Sequence, residues 1–162
     1  MAEAFGLAAG VMQVAAFGAE LGSALWACAR KIRYASKELR ALAGQVDATS
    51  RCLRSVGNLL DDPETKAFHT SKLYEDTQTV SKGCDDIFLE LNKTTKKFDN
   101  GSPKMSTFAR LQWPLESNKL AEPMKVLKNY NEVLHLMLAV LQIVEGRRAA
   151  YDPSQYSTSI IC

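Results

Sequence analysis

The sequence predicts an all-α fold, an antiparallel up-and-down bundle of four to five helices. Apolar residues recur at steps of three and four rather than two, and no Asn-Gly or Asp-Gly pair lies between alternating runs, so strand signals are nearly absent. The chain has 162 residues, 46% hydrophobic and 23% charged, with five prolines and nine glycines, which suits one folded domain with a real core. Such a composition excludes a disordered tail, a collagenous repeat and a disulfide mini-scaffold. The bundle is expected over residues 1–149, with 150–162 a frayed tail.

The first helix is read from Ala4 to Ala29, AFGLAAGVMQVAAFGAELGSALWACA, whose one charge is Glu20. A second starts at Ser36, a suitable N-cap, and carries Leu39, Leu42, Val46, Thr49, Leu53, Val56 and Leu60 on one stripe. Asp61, Asp62 and Pro63 end it and suit the first turn of the next. That next helix is read over Glu64 to Phe98, with Leu73, Thr77, Val80, Cys84, Ile87, Leu91, Thr94 and Phe98 at heptad spacing. Asp99 to Pro103 form the clearest loop, because Asn100-Gly101 supplies positive φ and Pro103 cannot continue a helix. A short segment over Ser106 to Trp113 is expected to stop at Pro114. A last stripe runs through Leu120, Met124, Leu127, Asn131, Leu134, Leu138 and Leu141, with Pro123 expected to kink that helix or mark its start. Helical period is lost beyond Gly146; QYSTSII near the end is β-prone, but a frayed terminus is the better reading.

Charge is unevenly distributed. Residues 1–29 carry Glu3 and Glu20, whereas residues 30–60 carry seven basic side chains against Glu38 and Asp47. A local +5 directly after an apolar run is what an anionic membrane surface selects. The overall net charge of +2 is too weak a field to argue for nucleic acid. Cys28, Cys52, Cys84 and Cys162 are scattered without a C-x-x-C pair, and no basic residue precedes the apolar run as it does in a secretory leader. Reduced thiols in a cytoplasmic protein are expected.

Catalytic motifs are missing. Neither G-x-x-x-x-G-K-[ST], G-x-G-x-x-G, H-E-x-x-H nor G-x-S-x-G occurs. His69 and His135 are read on different helices, and adjacent Asp85 and Asp86 point about 100° apart on a helix, unlike carboxylates sharing a metal. No enzymatic activity, metal or cofactor is expected.

The N-terminal segment is marginal for membranes. Twenty-six helical residues reach ~39 Å, longer than the ~30 Å hydrocarbon core. Its bulk is Ala and Gly, however, and Glu20 near the centre costs on the order of 2.5 kcal/mol on insertion scales. The expected inserting residues are Phe5, Leu7, Val11, Met12, Val14, Phe17, Leu21, Leu25 and Trp26. Gly6, Gly10, Gly18 and Gly22 form two G-x-x-x-G pairs, a small-residue face that suits either self-association in a membrane or close packing within a soluble bundle. Arg30, Lys31, Arg33, Lys37 and Arg40 follow Trp26 as a headgroup-binding border, or as an ordinary solvated face.

Three stretches, GLAAGVMQVAAFGAELGSAL, SKELRALAGQVDATSRCLRSVGNLL and ARLQWPLESNKLAEPMKVLKNYNEVLHLMLAVLQ, together with the basic connector, resemble the HeLo-like N-terminal domain of fungal STAND (NLR-type) proteins. The resemblance covers the chain to about Ala149. It implies a helical bundle similar to that of the necroptotic mixed-lineage-kinase-like pseudokinase, and a role in programmed cell death and heterokaryon incompatibility through membrane attack by the first helix, here Phe5 to Trp26. It also implies Phe108 and Trp113 as structural core, homo-oligomerisation on activation, and an NLR-type partner. Pro123 departs from the pattern, and no NTPase module or amyloid-forming motif follows in this sequence.

The leading expectation is thus a non-enzymatic cytoplasmic signalling domain, conditionally recruited to the plasma membrane, whose first helix perturbs anionic lipid after oligomerisation. Two alternatives stay open: a soluble helical interaction module, regulatory or scaffolding, and a small constitutive membrane protein.

Overall fold

The computed structural model describes residues 2–31, 36–63, 70–98 and 107–150, with side-chain surroundings for 6–30, 37–63, 70–96, 120–143 and 146. Among the described residues there are four helices: α1 (Ala2–Lys31), α2 (Ser36–Asp61), α3 (Ser71–Phe98) and α4 (Thr107–Ala150). The all-α bundle is as the sequence predicts. No strand occurs among the described residues.

α2 is the structural spine. Its seven stripe positions from Leu39 to Leu60 are all buried, at 1% exposure or less. The polar member, Thr49, folds its hydroxyl back onto the Gln45 carbonyl at 2.9 Å, so a buried hydroxyl keeps an acceptor without leaving the helix. Thr77 and Thr95 do the same on α3 at 2.7 Å each.

α1 packs on α2 and α3, and α4 packs on the same two helices. α1 and α4 are therefore diagonal, as are α2 and α3. Along the α1–α2 contact the register runs in opposite directions. The site of a Cβ on Gly57 faces Met12 and the Ala8 carbonyl, the Ser50 hydroxyl donates to the Ala15 carbonyl at 2.6 Å, and Gly22 faces Val46 and Asp47. These two helices are antiparallel.

Three boundaries differ from expectation. α3 starts at Ser71, not Glu64, because Thr70 caps it: the Leu73 amide donates to Thr70 Oγ1 at 3.2 Å. Residues 64–69 lie outside the described set. α4 is one helix from Thr107 to Ala150: it passes through Pro114, where a stop was expected, and Pro123 lies within it rather than at its start. At Pro123 the physical reason is packing: Leu120 and Leu127 flank it and are both buried, so tertiary contacts on either side outweigh one missing amide bond. The same helix continues past Gly146 to Ala150. The expected frayed tail and QYSTSII lie outside the described residues, as do the side chains of Phe108 and Trp113.

Candidate functional site

α1 is built from residues too small to make a conventional core stripe. Its buried positions are Ala8, Val11, Ala15, Gly18, Leu21, Gly22, Leu25, Cys28 and Ala29. The central line, Ala8, Val11, Ala15, Gly18, Gly22, Leu25 and Ala29, steps by three and four, a heptad seam made mostly of Ala and Gly. Such a seam lets two helix backbones approach closely. The seam interlocks with its neighbours: a Cβ on Gly18 would lie 2.5 Å from Phe88 Cε2, and one on Gly57 would lie 2.8 Å from Met12 Sδ.

The four glycines named from sequence divide into two pairs. Gly18 and Gly22 are buried in the bundle, while Gly6 and Gly10 are exposed, with nothing within 4 Å of a built Cβ. The cause is helical drift. Each step of four residues advances about 40° beyond a full turn, so a register of four that starts on the solvent side at Gly6 has turned inward by Gly18.

The expected inserting residues are also partitioned. Val11, Leu21 and Leu25 are core residues at 2% exposure or less. Leu7, Met12, Val14 and Phe17 are half-buried, and Phe17 meets Phe88 edge-on at 6.3 Å. Trp26 stands 40% exposed. The side chain of Phe5 lies outside the described residues. Among the described residues the solvent side of α1 is formed by Gly6, Ala9, Gly10, Gln13, Ala16, Glu20, Ser23, Trp26 and Arg30, with Glu20 its one carboxylate.

By length and composition, Gly6–Arg30 is apolar enough to cross a bilayer, and 39% of its best window is buried in the bundle. Because α1 and α2 are antiparallel, the end of α1 and the start of α2 share one end of the bundle. Arg30, Lys37 and Arg40 are all exposed there. Lys31 and Arg33 have no described side chain.

Elsewhere the chemistry is quiet. Among the described residues no cluster of three His, Cys, Asp or Glu could hold a metal. Cys84 is buried, and desolvation pushes its thiol up to about 12. Cys52 is 3.5 Å from His135 Nε2 across the α2–α4 contact. Burial raises the Cys52 thiol, with Arg51 pulling the other way. A raised thiol is a poor nucleophile at neutral pH.

Sequence reasoning missed one surface. Val133, Leu136, Val140 and Ile143 on α4 are exposed, a second stripe at heptad spacing apart from the buried leucines. Its 3-4-3 spacing was legible in the sequence but was overshadowed by the stronger leucine stripe. In comparison with known proteins, no family model matches the chain, no curated protein matches it, and no solved structure matches it.

Proposed function

We propose that the chain is a non-enzymatic signalling domain whose α1 exchanges between the bundle and an anionic membrane surface, perturbing the membrane when several copies gather. The observation that carries this reading is the way α1 is held: an apolar helix of spanning length is seated by a seam of Ala and Gly. α1 contributes three large aliphatic side chains, Val11, Leu21 and Leu25, to the fully buried core. Each is worth about 1.5–3 kcal/mol when removed from water, and a bilayer restores that gain. Six inserting aliphatic and aromatic residues, Leu7, Val11, Val14, Phe17, Leu21 and Leu25, contribute roughly −2 to −4 kcal/mol on insertion scales, close to the cost of Glu20, on the order of 2.5 kcal/mol. On that scale the apolar gain and the Glu20 cost nearly cancel, and Arg30, Lys37 and Arg40 favour acidic lipid.

The resemblance to HeLo-like domains supports the same reading and extends it to cell-death execution in the cytoplasm and at the plasma membrane, with an NLR-type partner as the trigger. A second reading, a soluble interaction module, is favoured by the hydrogen bond from Ser50 to the Ala15 carbonyl and by the Gly18–Phe88 interlock, both of which hold α1 in place.

Leakage of dye from phosphatidylserine vesicles separates the two. Ala9 and Ala16 are exposed in the bundle, so Ala9→Glu with Ala16→Glu leaves the fold intact and adds two charges at membrane depth, each costing on the order of 2.5 kcal/mol. The wild-type chain, clustered through an affinity tag, is expected to release dye and the double variant is not. Equal leakage from both, or none from the wild type, rejects the membrane role.

A further inference from the structure

From Gly6 to Ala29, Glu20 is the single charged side chain. It lies fourteen residues from Gly6 and ten from Arg30, the ends of the span that is apolar enough to cross a bilayer. Along the helix those separations are about 21 Å and about 15 Å. A bilayer-crossing α1 therefore holds Glu20 inside the hydrocarbon and away from either headgroup layer.

In the bundle Glu20 is exposed, and among the described residues it takes part in no hydrogen bond or ion pair. α2 meets α1 at this level through Ser50 at Gly18 and Asp47 at Gly22. Its charged residues there are Asp47 and Arg51, already joined to each other at 3.1 Å. α3 meets α1 through Phe88 at Gly18, and the charged residues within one turn of Phe88 are Asp85, Asp86 and Glu90. α4 packs on α2 and α3, diagonal to α1. On α1 itself the nearest cation in sequence is Arg30. No countercharge travels into lipid beside Glu20.

We propose, on the membrane reading of α1 from which this step follows, that Glu20 is a proton-operated gate: α1 enters the bilayer with its carboxyl protonated, so acid promotes membrane attack and neutral pH restrains it. A carboxylate carried into hydrocarbon without a partner takes up a proton rather than keep its charge. The exchange is one proton passing from water to a carboxylate oxygen. The inserted state then binds one proton more than the bundle, and by linkage it gains population as pH falls, by up to about tenfold per unit.

Dye release from phosphatidylserine vesicles by the full chain, clustered through an affinity tag, tests this in wild type and Glu20→Gln from about pH 7.5 to about pH 5. Wild-type release is expected to rise at least about tenfold over that range. Glu20→Gln is expected to release more dye than wild type at the upper pH and to change little with acid. Glu20 is exposed and without a described partner, so Glu20→Gln keeps the helix content and the unfolding midpoint, and its extra release cannot be assigned to a loosened bundle. His69 and His135 titrate in the same range; both are retained in the variant, so the difference between the two profiles belongs to Glu20. Wild-type release indifferent to pH, the same pH dependence in Glu20→Gln, or a variant no more active than wild type at the upper pH overturns the gate and leaves the membrane reading standing. Absence of release from both proteins at every pH removes the two together.

Discussion

The α1 seam makes a sharp prediction from a single methyl group. In Gly18→Ala the new Cβ would sit 2.5 Å from Phe88 Cε2, 3.0 Å from Phe88 Cζ and 3.2 Å from Ser50 Cβ. Carbon contacts are optimal at about 3.5–4.0 Å, so the ring must move by roughly 1 Å. It has little room, because Phe88 is fully buried and Phe17 abuts it edge-on. Overpacking of this kind costs about 1–3 kcal/mol, while replacing a helical glycine by alanine returns about 0.8–1.0 kcal/mol. In Gly10→Ala the same helix gain appears alone, since a Cβ there meets nothing within 4 Å. The helix term cancels between the two variants, leaving a gap of about 1–3 kcal/mol that reports overpacking alone. Guanidinium denaturation followed by circular dichroism measures it, with equal slopes confirming the same unfolding reaction. Gly10→Ala is expected to be more stable than wild type and Gly18→Ala to be neutral or less stable. Indistinguishable midpoints would refute the claim that α1 is seated through Gly18.

Two further predictions concern α3. Folded Cys84 keeps its proton up to about 12, whereas in the unfolded chain a thiol ionises near the ordinary value of about 8.5. The unfolded state therefore binds fewer protons above that value, and stability present below it is lost as pH rises, by up to about 1.4 kcal/mol per pH unit. Cys84→Val is expected to flatten this alkaline slope in denaturation curves taken between the two pKa values, and an unchanged slope contradicts the assignment. Thr70→Ala removes the cap on the Leu73 amide and is expected to destabilise by about 1 kcal/mol, with Thr70→Ser retaining most of the stability; equal losses in both would show that the cap contributes nothing.

The parts legible in the sequence were those with contrast between faces. On α2 the apolar stripe stands against charged neighbours, and every position from Leu39 to Leu60 named from spacing is buried. On α3 the single heptad line was too narrow: Phe88 and Thr95 flank it and are buried too, because α3 packs against both α1 and α4. α1 gave no such contrast. Ala and Gly occur all around it, so spacing alone did not separate Gly6 and Gly10, which face solvent, from Gly18 and Gly22, which face the core. The heptad seam through Ala8, Ala15 and Ala29 was present in the letters but carried no hydrophobic signal. α4 was misread at Pro114 as a stop and at Pro123 as a start, since at Pro123 a local rule about one missing amide bond does not register Leu120 and Leu127, buried on either side.

The central claim is that α1 must leave the bundle to act, and a reversible lock tests it most directly. A Cβ on Gly22 lies 3.7 Å from Asp47 Cβ, close to the ~3.8 Å mean of natural disulfides, so Gly22→Cys with Asp47→Cys can join α1 to α2. Dye release from phosphatidylserine vesicles is then measured on the oxidised and the reduced protein. Abolished leakage when the disulfide is closed, recovered on adding dithiothreitol, is the predicted result; undiminished leakage from fully cross-linked protein would show that the helix acts in place, or not at all.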